Sequence, residues 1–390
     1  MTINKTALGR PMQALVAMCA AVLVVTLAGC GSSSTGSTDG SGDATLKIGF
    51  VTTLSKNPFT DIGEQGEAAF KAALADSKDS GLDVKTYKVD DQGDATTATQ
   101  VCQQLIQQDK VDVIVALQLT PNKNACTTLA HQAGIPFIAG QQSAVNCDTA
   151  YFQTGWIPNQ TVEPALKYAA GKGAKSVYYV GNDYAFDQSI LAEIKASAPK
   201  LGLKVAGSSL LPIGTTDWAP VLSKIAAAKP DVVIDAMIDE IAYIKQASTD
   251  PRTQSLERIS LAADEAQLQA VGSSVEGTEF VPQYVSSDNN AANKAFKASM
   301  AAANKSVIPS QTSLNVYTAV LAAIAAAKEG TSASDILKAL PNVSIDGPGG
   351  SMAFAGEHYP TVTSYVAKMG PNFVPSTLYK QENVAPVTGC

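Results

Sequence analysis

Two α/β lobes, each built on a doubly wound parallel sheet, are predicted by three features of this 390-residue chain. Short apolar runs alternate with segments of helical periodicity, and the alternation runs its course twice. The central run 111–116 carries Val113-Ile114-Val115, β-branched throughout, the pattern of a strand buried on both faces. The stretch from Thr45 to Cys390 is too long for one small domain and suits two, and a hydrophobic content of 45% supplies the cores.

The first unit opens with a strand-type run at 46–51. Segment 61–76 has apolar residues at helical spacing, with Asp61 and Glu64 placed as an N-terminal capping pair. A strand follows at 82–89, a helix at 95–108, the buried strand at 111–116, a helix at 124–133 and another buried strand at 135–139. The second unit repeats the order: helix 161–170, strand 176–180, a helix running to Lys195, strand 203–208 and helix 218–228, which Pro230 stops. Strand 231–236, helix 241–247 and short strands at 259–261 and 278–281 complete it. The Ala-rich segments 291–303 and 311–327 are helices, because Ala is the strongest helix former. Segment 332–340 is a short helix, and 345–369 returns to strands around Gly347-Pro348-Gly349-Gly350. The late helices have no adjacent sheet of their own, so the chain crosses between units more than once.

Ahead of the first unit, Lys5 and Arg10 precede an apolar run from Met12 that ends in Leu27-Ala28-Gly29-Cys30. A charged start, an apolar middle and small residues at a cut are the layout of a secretory signal peptide. The cysteine at the cut resembles the lipobox of bacterial lipoproteins, which implies lipidation of Cys30 and anchoring to the outer face of the cell membrane. The tract 31–43 is almost wholly Gly, Ser and Thr and reads as a flexible tether. No later apolar run is long enough to span a membrane, since 314–327 is interrupted by Asn315 and Tyr317.

The net charge of −7 becomes more negative once the signal, with its two basic residues, is removed. An acidic chain without basic runs argues against a nucleic-acid partner. Of six cysteines, Cys19 leaves with the signal and Cys30 is the lipidation site, leaving Cys102, Cys126, Cys147 and Cys390. Four cysteines allow three complete pairings. Cys126 lies near a helix start and Cys147 in the loop after the next strand, so Cys126–Cys147 is the favoured pair.

His131 and His358 are the only histidines, and neither sits in a zinc or nucleophilic-triad pattern. No nucleophile elbow, phosphate-binding loop or dinucleotide fingerprint occurs, so no cofactor and no enzymatic activity are expected. The acid pairs Asp90-Asp91 and Asp239-Glu240 are expected on solvated faces, and Asp61 and Asp217 as helix caps. What remains is polar and aromatic residues at strand carboxyl ends, where open parallel sheets bind ligands. They fall in 54–59, 118–122, 141–143, 182–187, 237–240 and 264–265, with Tyr184 and Phe186 placed to wall a small-ligand cleft.

In order along the chain, Lys47-Ile48-Gly49-Phe50, Asp109 to Val115, Ala133-Gly134-Ile135-Pro136-Phe137-Ile138, Gly214-Thr215-Thr216-Asp217-Trp218 and Asn315-Val316-Tyr317-Thr318-Ala319-Val320 resemble segments of one family. It is the extracellular solute-binding proteins of the branched-chain amino acid and short-chain amide group. The resemblance covers nearly all of 46–369. It implies a type I periplasmic binding protein, or Venus flytrap: two lobes, three crossings, and a hinge that closes on ligand. The division is then 1–29 signal, 30–44 lipidated cysteine and linker, 45–157 with 284–345 as N-terminal lobe, and 158–283 with 346–390 as C-terminal lobe.

The implied function is the substrate-binding component of an ABC importer, a monomer that delivers a small polar ligand of amino acid or amide class. Its partners would be membrane permease subunits with a separate ATPase. The ligand set is Asn57, Phe59, Gln118, Thr120, Gln142 and Ser143 from one lobe and Tyr184, Phe186, Asp239 and Asp264 from the other. Asp264 falls where amino-acid binders hold an acid for the ligand's ammonium. The segment 118–122 is bulkier and richer in amides than in amino-acid binders, and 55–59 is similar to the first loop of sugar-binding relatives. A sugar- or polyol-binding protein, a ligand-sensing receptor and, last, a secreted hydrolase are the alternatives.

Overall fold

A computed structural model describes residues 45–55, 59–238 and 240–390, so Cys30, Asn57 and Asp239 lie outside the described residues. The chain first lays down β1 (Leu46–Thr52), α1 (Thr60–Asp76), β2 (Val84–Asp90), α2 (Ala95–Gln103), β3 (Val113–Leu117), α3 (Thr120–Ala133), β4 (Phe137–Ala139) and β5 (Tyr151–Gln153). A second run follows with α4 (Pro158–Gly171), β6 (Ser176–Asn182), α5 (Ala185–Ser197), β7 (Lys204–Leu211), α6 (Ala219–Ala228), β8 (Val232–Ala236), α7 (Glu240–Thr249), β9 (Glu257–Ser260), α8 (Glu265–Val271) and β10 (Glu279–Phe280). The remainder is α9 (Ala291–Ala303), α10 (Gln311–Ala327), α11 (Ala333–Ala339), β11 (Ser344–Gly347), β12 (Gly350–Ala353), β13 (Val362–Met369) and β14 (Pro375–Val384).

The first sheet has the order β2-β1-β3-β4-β5, and every pair in it is parallel. The second has the order β14-β13-β10-β9-β8-β6-β7. Its strands β6 to β10 are parallel, while β13 runs antiparallel to both β10 and β14. This antiparallel edge is an addition to the purely parallel sheet expected. It arises because the chain re-enters the second lobe after β12 and turns straight back through β14, a strand whose alternating polar residues gave no apolar run to read.

The sheets are joined by three passages of chain, at 154–157, 281–290 and 354–361. The late helices pack on the first sheet. Helix α10 is buried nearly all round, as expected of a helix apolar on every side, and shares a core with α1, β1 and β3 through Phe50, Phe70, Val115 and Val320. Phe50 and Phe70 stack with ring centroids 4.5 Å apart. The hairpin β11–β12 adds Met352 and Phe354 to this same core. The second lobe has a core on each face of its sheet, one around Trp218 and Tyr243 and one around Trp156 and Tyr179.

Two helices start earlier than their periodicity suggests. Helix α3 begins at Thr120 with Pro121 in its first turn, and α4 begins on Pro158. Proline fits the first turn because its missing N–H has no helical partner there. Helix α8, seven residues long, shows no periodicity that the sequence could reveal; its capping box joins Asp264 and Gln267.

The disulfides differ from the favoured pairing. Cys126 bonds to Cys102, with Cα atoms 5.6 Å apart, and Cys147 bonds to Cys390, with Cα atoms 5.5 Å apart. Cys126 is fully buried on the side of α3 that faces α2, where Cys102 is equally buried. Cys147 is exposed in the loop before β5, whereas Cys126 is fully buried against Cys102.

Candidate functional site

In each sheet the order reverses at one point, between β1 and β3 in the first and between β6 and β8 in the second. Diverging helices leave a crevice at the carboxyl ends of such strands. Both crevices open into one cavity of about 300 Å³. The first lobe contributes Thr52 and Thr53 at the end of β1, Phe59, Asp61, Ile62, Gly63 and Gln65 at the start of α1, Leu117 to Thr120 at the end of β3, Gln141 and Gln142 after β4, and Thr312 of α10. The second contributes Tyr184, Phe186 and Asp187 after β6, Met237, Ile238 and Ile241 around the end of β8, and Ala262, Ala266, Gln267 and Ala270 around α8.

Asp91 organises the first-lobe wall from beneath. It is fully buried. Its carboxylate accepts from Thr53 Oγ1 (2.6 Å), Gly93 N (2.9 Å), Gln118 Nε2 (2.9 Å) and Asn122 Nδ2 (2.9 Å). An acid expected on a solvated face is thus an internal anchor, because four donors replace the water it loses. One consequence is chemical. A carboxylate can only accept, so Gln118 must turn its NH2 group to Asp91 and its Oε1 away. Gln118 Oε1 is buried and has no hydrogen-bond partner among the described residues. Thr52 Oγ1, also buried, is in the same position.

Tyr184 closes the cavity from the other side. Its hydroxyl accepts from Thr120 N at 2.7 Å, linking the second lobe to the first turn of α3. Burial, set against that hydrogen bond, pushes the Tyr184 phenol above its usual range. Phe186 packs against Trp156 of the first passage, centroids 5.5 Å apart. Gly63 lets α1 approach: a Cβ there would lie 1.8 Å from the Thr53 carbonyl oxygen.

Of the residues expected to hold ligand, Phe59, Gln118, Thr120, Gln142, Tyr184 and Phe186 line this cavity. Ser143 and Asp264 are not among its lining residues. Ser143 Oγ instead accepts from Lys123 Nζ, a buried ammonium that also donates to Tyr151 OH at 3.1 Å. Burial lowers the Lys123 pKa to about 7. Asp264 caps α8 by accepting from Gln267 N at 3.0 Å and accepts from Thr312 Oγ1 at 2.8 Å, which makes it a strut between the lobes. Asp61 lines the cavity from the first turn of α1 and makes no capping bond there. Asp217 stands one residue before the N-cap Trp218 of α6 and accepts from Ala219 N at 3.0 Å.

The sequence reading missed Thr52, Gln65, Ile241 and Thr312. Their signal was position alone, at strand ends and helix starts facing the crevice. Glu240, also expected on a solvated face, is buried. Burial and the adjacent Asp235 carboxylate raise its pKa well above the usual range.

The sequence profile described as periplasmic binding protein matches residues 45–372. The chain belongs to the periplasmic binding protein family. Membership implies an extracytoplasmic protein. A curated relative, Leu/Ile/Val-binding protein homolog 6 from Brucella abortus, is 25% identical over 187 residues, 46% of this chain and 47% of the relative. The chain therefore spans about half the length of the curated relatives it matches. Among solved structures, a solute-binding protein of an ABC transporter from R. palustris, in complex with 4-hydroxybenzoate, has a TM-score of 0.80 at 21% identity, covering 88% of this chain and 98% of that one. The isoleucine complex of the branched-chain amino acid transporter substrate-binding protein from Streptococcus pneumoniae has a TM-score of 0.75 at 19% identity, covering 87% and 99%. These likenesses show the two-lobe fold.

Proposed function

We propose that this protein is the substrate-binding component of an ABC importer, capturing one small ligand between its lobes and presenting it to a membrane permease served by a separate ATPase. The observation that carries the reading is the cavity formed jointly by both switch-point crevices and bridged by Tyr184 OH and Thr120 N. A cavity of about 300 Å³ suits a small organic molecule. Phe59, Leu117, Phe186, Met237 and Ile241 offer it an apolar enclosure. Gln118 Oε1, fixed by Asp91, offers an acceptor, so the ligand carries an N–H or O–H donor. An amino acid or amide satisfies both demands. The relative named for Leu, Ile and Val and the isoleucine-bound neighbour agree with that class. Asp264 is not the ammonium partner in this reading, since its oxygens serve α8 and Thr312. Capture involves no bond-making; closure shifts population by the ligand's preference for the closed state.

Cys30 anchors the protein to the outer membrane face in this reading, with 31–43 as tether. A Cys30→Ala chain should then leave the membrane fraction.

The function is tested by purifying the folded chain, denaturing it and identifying released small molecules by mass spectrometry. The released compound should raise the unfolding temperature of the emptied protein. A ligand at a hundred times its Kd would add about 2.7 kcal/mol. Gln118→Met should weaken it about tenfold or more by removing the acceptor. If nothing is released and isoleucine, its primary amide and 4-hydroxybenzoate all leave the melt unmoved, the capture reading fails. A compound returned chemically altered would instead establish a hydrolase.

A further inference from the structure

The Cys147–Cys390 disulfide joins the two lobes beside their hinge. Strand β14 belongs to the second sheet, and the chain leaves it at Val384. Residues 385 and 387 are then held to the second lobe by one side chain: Asn159 of α4 donates from Nδ2 to the Ala385 carbonyl at 2.9 Å and accepts from Val387 N at 3.0 Å. Asn159 is only 4% exposed and sits two residues beyond the first passage. Three residues later Cys390 is bonded to Cys147, in the loop between β4 and β5 of the first sheet. That loop is itself fixed to the first lobe. Asn146 N donates to Tyr359 OH at 2.6 Å, and Tyr359 OH donates to the Asn146 carbonyl at 2.9 Å. Tyr359 is buried in the first-lobe core with Phe137 and Tyr151.

We propose that 385–390 is a covalent strap, a fourth connection between the lobes, which limits how far they part. The inference rests on the reading that the lobes open and close. The three peptide passages are backbone that can rotate about φ and ψ. The strap differs in being short and covalently closed: fully extended, 388–390 reaches only about 10 Å. Opening that carries Asn159 away from Cys147 beyond what this segment and the disulfide together can span must first break the Asn159 bonds or the disulfide. The oxidised strap therefore keeps the empty protein near the closed arrangement and lowers the entropy lost when ligand closes it. Such a bond forms outside the reducing cytoplasm, in keeping with the compartment the family implies.

The test uses the full, ligand-free chain and follows exchange of the Thr120 amide hydrogen, which bonds to Tyr184 OH only while the cleft is closed. Exchange is compared in the native chain and in Cys390→Ser, at several low denaturant concentrations to separate opening from unfolding. The strap predicts opening-type exchange in both, about fivefold or more faster in Cys390→Ser. Equal opening-type exchange in the two overturns the strap and leaves the hinge intact. If Thr120 exchanges in both only through global unfolding, the lobes do not part, and the opening reading itself fails. Should Cys390→Ser not fold, mild phosphine reduction of the native chain replaces it. Cys147 and Cys390 are exposed while Cys102 and Cys126 are fully buried, so the strap is reduced first. The same two outcomes then decide.

Discussion

At the residue scale, two acids exchange the roles their sequence positions suggest. Asp61 has the position of a cap and lines the cavity, while Asp264 has the position of a ligand contact and caps a helix. The distinction lies in where each backbone segment aims its carboxylate, which spacing does not encode. Asp264→Ala should cost about 1 kcal/mol of stability in a denaturant melt. Asp264→Asn, also a good cap, should keep most of it and leave ligand affinity within about twofold. Lys123 gives a pH signature. Its folded pKa of about 7 lies below its unfolded value of 10.5, so between these the unfolded chain binds the extra proton. Stability from this group therefore rises as pH increases from 7 towards 9, and it is flat below 7. Melting curves should show that slope reduced in Lys123→Met; an unchanged slope would remove Lys123 as its source.

At the scale of elements, the βα alternation was readable because the central strands of a parallel sheet are buried on both faces and most helices on one. The elements overlooked were β5, α8 and β14. Strand β5 has only three residues and α8 seven, too short for periodicity to register. Strand β14 is an edge strand half in solvent, with Ser376, Thr377, Lys380 and Glu382 interrupting its apolar residues. The passage 154–157 shows how tightly elements are coupled here. A Cβ on Gly155 would lie 2.2 Å from the Gln141 carbonyl, in the loop that also supplies Gln142 to the cavity. Gly155→Ala should therefore lower stability by roughly 1–3 kcal/mol. It should also weaken ligand binding by displacing Gln141 and Gln142. A melt and a titration together check this, and native affinity would show the loop to be independent of the hinge.

For the molecule as a whole, the second passage carries a pH response opposite in sign to that of Lys123. Glu265 at the start of α8 accepts from Ser286 N at 2.7 Å. Burial, with Asp264 alongside, raises its pKa to about 7 from 4.5. Between these values the folded protein holds a proton the unfolded chain lacks, so stability falls as pH rises from 4.5 to 7. Glu265→Gln should flatten that part of the stability profile. Because the passage links the lobes, the same variant should make Thr120 exchange insensitive to pH over this range after correction for intrinsic rates. A flat profile in the native chain would exclude the linkage.

The sequence by itself determined that two α/β lobes form, because burial on a sheet imposes a periodicity that residues must obey locally, and it pointed to the strand carboxyl ends where the cavity opens. It also placed six of the described ligand candidates on the cavity wall. Only the tertiary structure decided which carboxylates turn inward, which cysteines meet and which hydroxyls are already taken. Asp91 is silenced by four donors from separate elements, and Cys147 finds a partner from the other lobe. Those outcomes depend on side chains far apart in the chain arriving within hydrogen-bonding or covalent reach, and no local pattern records that distance.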